Sequence, residues 1–185
     1  MPLTMLDPQT ALIVVDLQKG HVGATPDFDA VLDRSRVLAA AFRARALPVV
    51  LVTVDGVAPG RTERPSRFET GLPAGYADLL AALDPQPTDI RVTKRSWGAF
   101  ATTDLEQRLR RLGVTQVVIT GIATASGVEA TARQAYEAGF NVTLAGDAMT
   151  DPRADAHAYS IANVFPRLGE TGSTDDILTL LERRD

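Results

Sequence analysis

The chain has 185 residues, 45% of them hydrophobic and 23% charged, enough apolar material for one sizeable core and close to the size of a single ordinary domain. Nineteen Lys and Arg against 23 Asp and Glu leave a net charge of −4. No basic cluster could neutralise a row of phosphates, so no nucleic-acid partner is expected. The apolar run Ala11 to Val15 stops at Asp16, far short of a signal or membrane segment. A cytoplasmic protein with no membrane contact is therefore expected. The absence of cysteine removes disulfides, thiolate metal sites and every thiol nucleophile. His21 and His157, the two histidines, stand far apart and without His-Glu-x-x-His spacing, so no histidine-based metal cage is expected.

Short runs of Val, Ile and Leu alternate with longer amphipathic stretches, the pattern of strands buried on both faces and connected by helices. In chain order, a strand over Ala11–Leu17 leads to a helix over Asp27–Ala46 and a strand over Pro48–Val54. The irregular stretch Asp55 to Gly75 follows, rich in Pro and Gly and carrying Arg61, Arg64 and Arg67. Loops of this length often cover binding sites, although solvated arginines are the more usual reading of its charge. A short helix over Tyr76–Leu83 and a strand over Asp89–Thr93 come next, then a helix over Thr103–Leu112 and a strand over Val114–Thr120. The chain closes with a helix over Ser126–Ala138, a strand over Asn141–Gly146, a helix over Arg153–Asn163, a weaker strand near Arg167–Thr171 and a helix over Thr174–Arg183. Thr102 or Thr103, and Ser173 with Thr174, supply side-chain oxygens where first-turn N–H groups lack partners. Gly113 and Gly139 act as helix stops. The expected architecture is one α/β/α domain over residues 1–185, with six parallel strands in the Rossmann-like order 3-2-1-4-5-6.

Ligands of such sheets collect beyond the carboxyl ends of the strands, where the order reverses. These ends carry Asp16, Asp55, Lys94, Gly121 and Asp147. Asp16 follows Ala-Leu-Ile-Val-Val, so its carboxylate must be paired, hydrated in a cleft or neutralised by a raised pKa. Capping the next turn is an equally good reading of Asp16 alone. Lys94 shifts the balance. In the expected strand order it stands two strand spacings away, roughly 10 Å, a gap that the two side chains can bridge. The small-residue turn Gly121-Ile-Ala-Thr-Ala-Ser-Gly127 lets backbone approach a ligand at a helix start. Tight helix–sheet packing explains it equally well, since it matches no dinucleotide, phosphate-loop or nucleophile-elbow motif.

Three spaced motifs resemble the isochorismatase-like hydrolases: Ile-Val-Val-Asp16-Leu-Gln, Thr-Lys94-Arg-Ser-Trp-Gly-Ala-Phe100, and Thr-Gly121-Ile-Ala-Thr-Ala-Ser-Gly-Val-Glu-Ala-Thr131, with Gly146-Asp-Ala-Met after them. The resemblance runs from about Thr10 to the last helix. It implies an Asp–Lys–Cys triad in most members, of which Asp16 and Lys94 match the first two. The Cys position holds Gly127, which closes the thioester route to amide hydrolysis. Family members that bind a metal carry an Asp-x-His motif where this chain has Asp55-Gly-Val, so neither a metal nor a cofactor is expected. True isochorismatases share the Gly and cleave a vinyl ether, a reaction that needs an acid rather than a thiol. The match to them departs at Asp55 and Ala123, where they place Gln and Tyr.

By the same resemblance, Trp97 lines the pocket, a cis peptide joins Ile122 and Ala123, and the protein forms a homodimer or homotetramer. Arg64 and Asp55 are candidates for contacting a small substrate, Arg64 through a carboxylate; Phe100 is expected in the core, and neither histidine is given a role. Three activities stay open: acid-catalysed hydrolysis of an enol ether or related small carboxylate by Asp16 and Lys94, an amidase or esterase with Ser126 as nucleophile, and a non-catalytic small-molecule binder. The Ser126 reading is disfavoured because one residue's offset from position 127 rotates a helical side chain by roughly 100°, unless the turn is distorted.

Overall fold

A computed structural model describes residues 3–63 and 71–183. Its strands are β1 (Thr10–Val15), β2 (Val49–Val54), β3 (Ile90–Lys94), β4 (Gln116–Ile122), β5 (Asn141–Thr150) and β6 (Glu170–Gly172). They form one parallel sheet in the order β3-β2-β1-β4-β5-β6, as the sequence implies. The order reverses between β1 and β4, so the carboxyl ends of these two strands open a crevice.

β1 and β4 are buried along their whole length because successive side chains enter two different cores. Ala11, Ile13 and Val15 pack on one face with Leu105, Leu109, Ala132 and Ala135, which belong to α2 (Leu105–Arg111) and α3 (Glu129–Glu137). Leu12 and Val14 pack on the other face with Leu38, Phe42, Ile177 and Leu181, from α1 (Phe28–Ala44) and α5 (Thr174–Glu182). Phe100 lies in the first core beside Phe140. β3 is an edge strand: Arg91 and Thr93 are exposed while Val92 and Lys94 turn inward, an alternation that carries Lys94 under the crevice.

Several boundaries depart from the sequence reading. No helix forms over 76–83; only Ala81–Leu83 makes a single 3₁₀ turn. The backbone of the preceding residues is taken up elsewhere, with Gly20 N donating to Tyr76 O, Lys19 N to Asp78 O, and Leu79 bridging antiparallel to Gln18. These long-range bonds outweigh local helix propensity. β5 continues past Gly146 to Thr150, so Asp147 lies within the strand. Its Oδ1 accepts from Thr174 N (2.7 Å) and Oγ1, and it pairs with Arg34; Asp147 tethers α5 and α1 rather than ending a strand at the crevice. The expected Arg153–Asn163 helix divides into α4 (Ala154–Tyr159) and a wider π turn over Ser160–Val164. At α5, Ser173 and Asp176 form a reciprocal capping box, whereas at α2 the Thr103 hydroxyl accepts from Leu105 N one residue ahead of the cap. Among the described residues no helix is long and apolar enough to cross a membrane.

Candidate active site

Asp16 follows β1 directly, with φ of 56°. This left-handed conformation, which Asp tolerates better than most residues, is held at both ends. Its N–H donates to Val52 O, and its carbonyl accepts from Gln18 N and from His21 Nδ1 at 2.9 Å. A carbonyl can only accept, so the His21 proton sits on Nδ1. Gln18 locks the neighbouring strand end: its Nε2 donates to Val54 O and Tyr76 O, and its Oε1 accepts from Val54 N.

Lys94 Nζ donates to Asp16 Oδ2 at 2.7 Å and to Ser96 O at 3.1 Å. Both side chains are buried, Lys94 to 1% exposure and Asp16 to 7%. Asp16 Oδ1, also buried, has no hydrogen-bond partner among the described residues. Burial pushes the Asp16 carboxyl above its usual range and outweighs the opposing pull of the Lys94 charge. The carboxyl group therefore favours its protonated form more than a surface Asp does.

β4 enters the small-residue turn through two close approaches. At Gly121, with φ of 112°, an added Cβ would lie 2.0 Å from Val15 O, so only glycine lets β4 lie this close to β1. The Ile122–Ala123 peptide is cis, as the family resemblance implies. Thr124–Val128 then winds as a π turn before α3. An added Cβ at Gly127 would stand 3.1 Å from Asp16 Oδ2 but only 2.9 Å from Ile122 O. The position faces the carboxylate, as a nucleophile would, yet the backbone is packed too closely for a side chain to enter without a shift. Behind the turn, Asp151 accepts from Ala125 N at 2.9 Å and Arg153 N at 3.0 Å, and Thr124 Oγ1 meets His157 Nδ1 at 2.8 Å.

A cavity of about 510 Å³ opens over Asp16 and Lys94. Ile122, Ala123, Ser126 and Gly127 line it, as does Trp97, which remains 68% exposed. The expected site residues are thus brought together, with two exceptions. Asp55 is not among the residues lining the cavity, although its neighbours Val54 and Gly56 are; its Oδ1 accepts from Arg95 Nε at 3.1 Å. Arg64 lies outside the described residues. Ser126, within the π turn, also lines the cavity, contrary to the spacing argument. Its Oγ donates to Ala123 O at 3.5 Å.

His21, to which the sequence assigns no role, lines the cavity, as do Thr25, Tyr76 and Pro152, which sequence reasoning passed over. His21 stacks edge-on against Tyr76, a contact between segments far apart in sequence that no local pattern signals. Among the described residues no group of three or more His, Asp or Glu side chains is placed to hold a metal ion.

The fold places the Asp16–Lys94 pair at the switch point of a parallel α/β sheet. Residues 10–176 match the isochorismatase domain family, and the chain belongs to it. It is similar to two proteins named as uncharacterized isochorismatase family members. The one from Escherichia coli O157:H7 is 41% identical over 93% of this chain and 96% of its own. The one from Bacillus subtilis is 36% identical over 92% and 93%. The structure of an isochorismatase family protein from Burkholderia thailandensis superposes with a TM-score of 0.91 at 38% identity, covering 96% of this chain and 98% of that one.

Proposed function

We propose that this isochorismatase-family hydrolase cleaves the enol ether of a small carboxylate, with Asp16 as general acid. The observation that carries this reading is the state of Asp16: buried, shifted toward its protonated form, held through Oδ2 by Lys94, and left with Oδ1 unpartnered at the cavity. A carboxylic acid so placed can protonate the alkene carbon of an enol ether. The electron pair moves to give an oxocarbenium ion, water adds to its carbon, and the water's proton returns to Asp16. Collapse of the resulting hemiketal releases a ketone, pyruvate where the enol ether is an enolpyruvyl group, and an alcohol. Two of the three Lys94 N–H groups are engaged, which leaves one for a substrate oxygen. Gly127 supports the same reading, since this chemistry requires no nucleophile where the family's thiol would stand.

The competing reading, an amidase or esterase built on Ser126, is favoured by one observation, the presence of Ser126 in the cavity wall. Among the described residues the Ser126 hydroxyl meets only Ala123 O, and the Lys94 ammonium pairs with Asp16 and Ser96 O rather than with Ser126. The deciding experiment follows pyruvate release from isochorismate with a coupling dehydrogenase, comparing wild type with folded Asp16→Asn and Lys94→Ala. Turnover lost in both variants is the expected result. Absence of pyruvate above the uncatalysed background overturns the proposal, and a screen of amides and esters then separates a different hydrolase from a binding protein.

A further inference from the structure

The cavity wall holds a second buried polar atom that the proposed chemistry does not use. Thr25 lies in the segment between His21 and α1, is 8% exposed and lines the cavity, and its Oγ1 has no hydrogen-bond partner among the described residues. A hydroxyl in such a place normally finds a backbone carbonyl, as the Thr131 hydroxyl does on Gly127 O and the Thr103 hydroxyl on Ala99 O. An unpaired buried hydroxyl destabilises the folded chain, and a Val of the same shape would not carry that penalty. The cavity wall also carries apolar residues, including Val54, Val57, Leu72 and Trp97.

We infer that Thr25 is a specificity-determining residue whose hydroxyl hydrogen-bonds a hydroxyl or carbonyl oxygen on a small, ring-sized carboxylate bound in the cavity. The inference rests on reading this cavity as the substrate site. Turning χ1 by about 120° carries the buried Oγ1 into the place of the methyl group or of the Cβ hydrogen, and a rotation of this kind, with no backbone movement, is how the hydroxyl would meet the ligand. The site then discriminates by leaving Thr25 unpaired when the ligand lacks a polar group at the matching position. A site built this way favours the ligand that fills the hydrogen bond by about the net value of one neutral hydrogen bond.

Trp97 is the sole tryptophan and borders the cavity, so its fluorescence reports binding there. The probes are cyclohexanecarboxylate and its 2-, 3- and 4-hydroxy derivatives, titrated into wild type, Thr25→Val and Thr25→Ser. Wild type is expected to bind one hydroxy acid about tenfold more tightly than the parent acid, Thr25→Val to bind the two alike, and Thr25→Ser to restore the preference. Without ligand, Thr25→Val should melt about 2–4 °C higher than wild type, which a hydroxyl with a structural partner would not allow. A preference that survives in Thr25→Val, no preference or no binding in wild type, or a lower melting temperature for Thr25→Val overturns the inference. If the preference depends on Thr25 while isochorismate releases no pyruvate, the enol-ether reading fails and this inference stands.

Discussion

Two buried Asp–cation pairs stand at opposite ends of β3 and differ in the bonding capacity they leave free. Arg43 on α1 grips Asp89, just before β3, with two parallel hydrogen bonds of 2.9 and 2.8 Å, and Gln86 N adds a third at 2.7 Å. Both Asp89 oxygens are engaged, and its side chain is 1% exposed against 15% for Arg43. Asp16 meets a cation at a similar distance, but through one oxygen, and the other is unpartnered in the wall of a cavity. A bidentate pair with its acceptors filled fastens α1 to the approach of β3 and has nothing left to offer a ligand. An ion pair with spare capacity over a cavity is a reagent. What separates structural from chemical carboxylates here is the bonding that remains, since burial and a cationic partner are common to both.

The sharpest way to break this contrast is to remove one carboxylate at a time. Asp16→Asn keeps the shape but cannot protonate carbon, and should lower kcat by about 10²–10⁴-fold in the pyruvate-release assay while far-ultraviolet circular dichroism is unchanged. Arg43→Ala should do the reverse. It leaves Asp89 buried without its cation and should cost about 3–5 kcal/mol of stability, readable as a lower urea midpoint, with kcat/KM of the folded fraction unaltered. If Arg43→Ala depresses turnover as deeply as Asp16→Asn, the division of labour between the pairs is wrong.

The pH response should separate the two pairs by a smaller, graded effect. Because burial raises the Asp16 pKa above the unfolded value of 3.8, the native state holds its proton more tightly than the unfolded chain does. Its contribution to stability is complete below the unfolded value and disappears as pH rises through the folded one. Activity should fall along the same alkaline limb, since only the protonated form is an acid. In Asp16→Asn this part of the stability profile should flatten, whereas Arg43→Ala should retain it. An activity profile that rises through that range would instead mark Asp16 as a base.

The fold was legible because its signals are local and repeated. Each buried strand is a short apolar run, and the order follows from packing such strands under crossover helices. Asp16 and Lys94 were legible for a related reason: strand ends of a parallel sheet converge, and two opposite charges there can meet. Asp55 sits at the same kind of strand end, but the sequence does not reveal that Arg95 holds its side chain aside. Asp147 failed because nothing local marks β5 as running on to Thr150. His21, Thr25 and Tyr76 reach the cavity from loops whose paths are fixed by long-range bonds, such as Gly20 N to Tyr76 O, and no periodicity encodes those.

The smallest expected effect decides between the two chemical readings. The spacing argument turns Ser126 away from the site, yet Ser126, within the π turn over Thr124–Val128, lines the cavity wall. Proximity alone does not make a nucleophile: a serine hydroxyl needs a base within hydrogen-bond reach, and among the described residues Ser126 Oγ has only the Ala123 carbonyl at 3.5 Å. Ser126→Ala should therefore change kcat by less than about fivefold, since a single weak neutral hydrogen bond contributes less than about 1 kcal/mol. A thousandfold loss, with a covalent adduct on Ser126 in the mass spectrum of wild type after exposure to an activated ester, would transfer the chemistry from the Asp16 acid to the serine. Lys94 would then have to leave Asp16 to act as its base, and the ion pair seen here would be the resting state of a different enzyme.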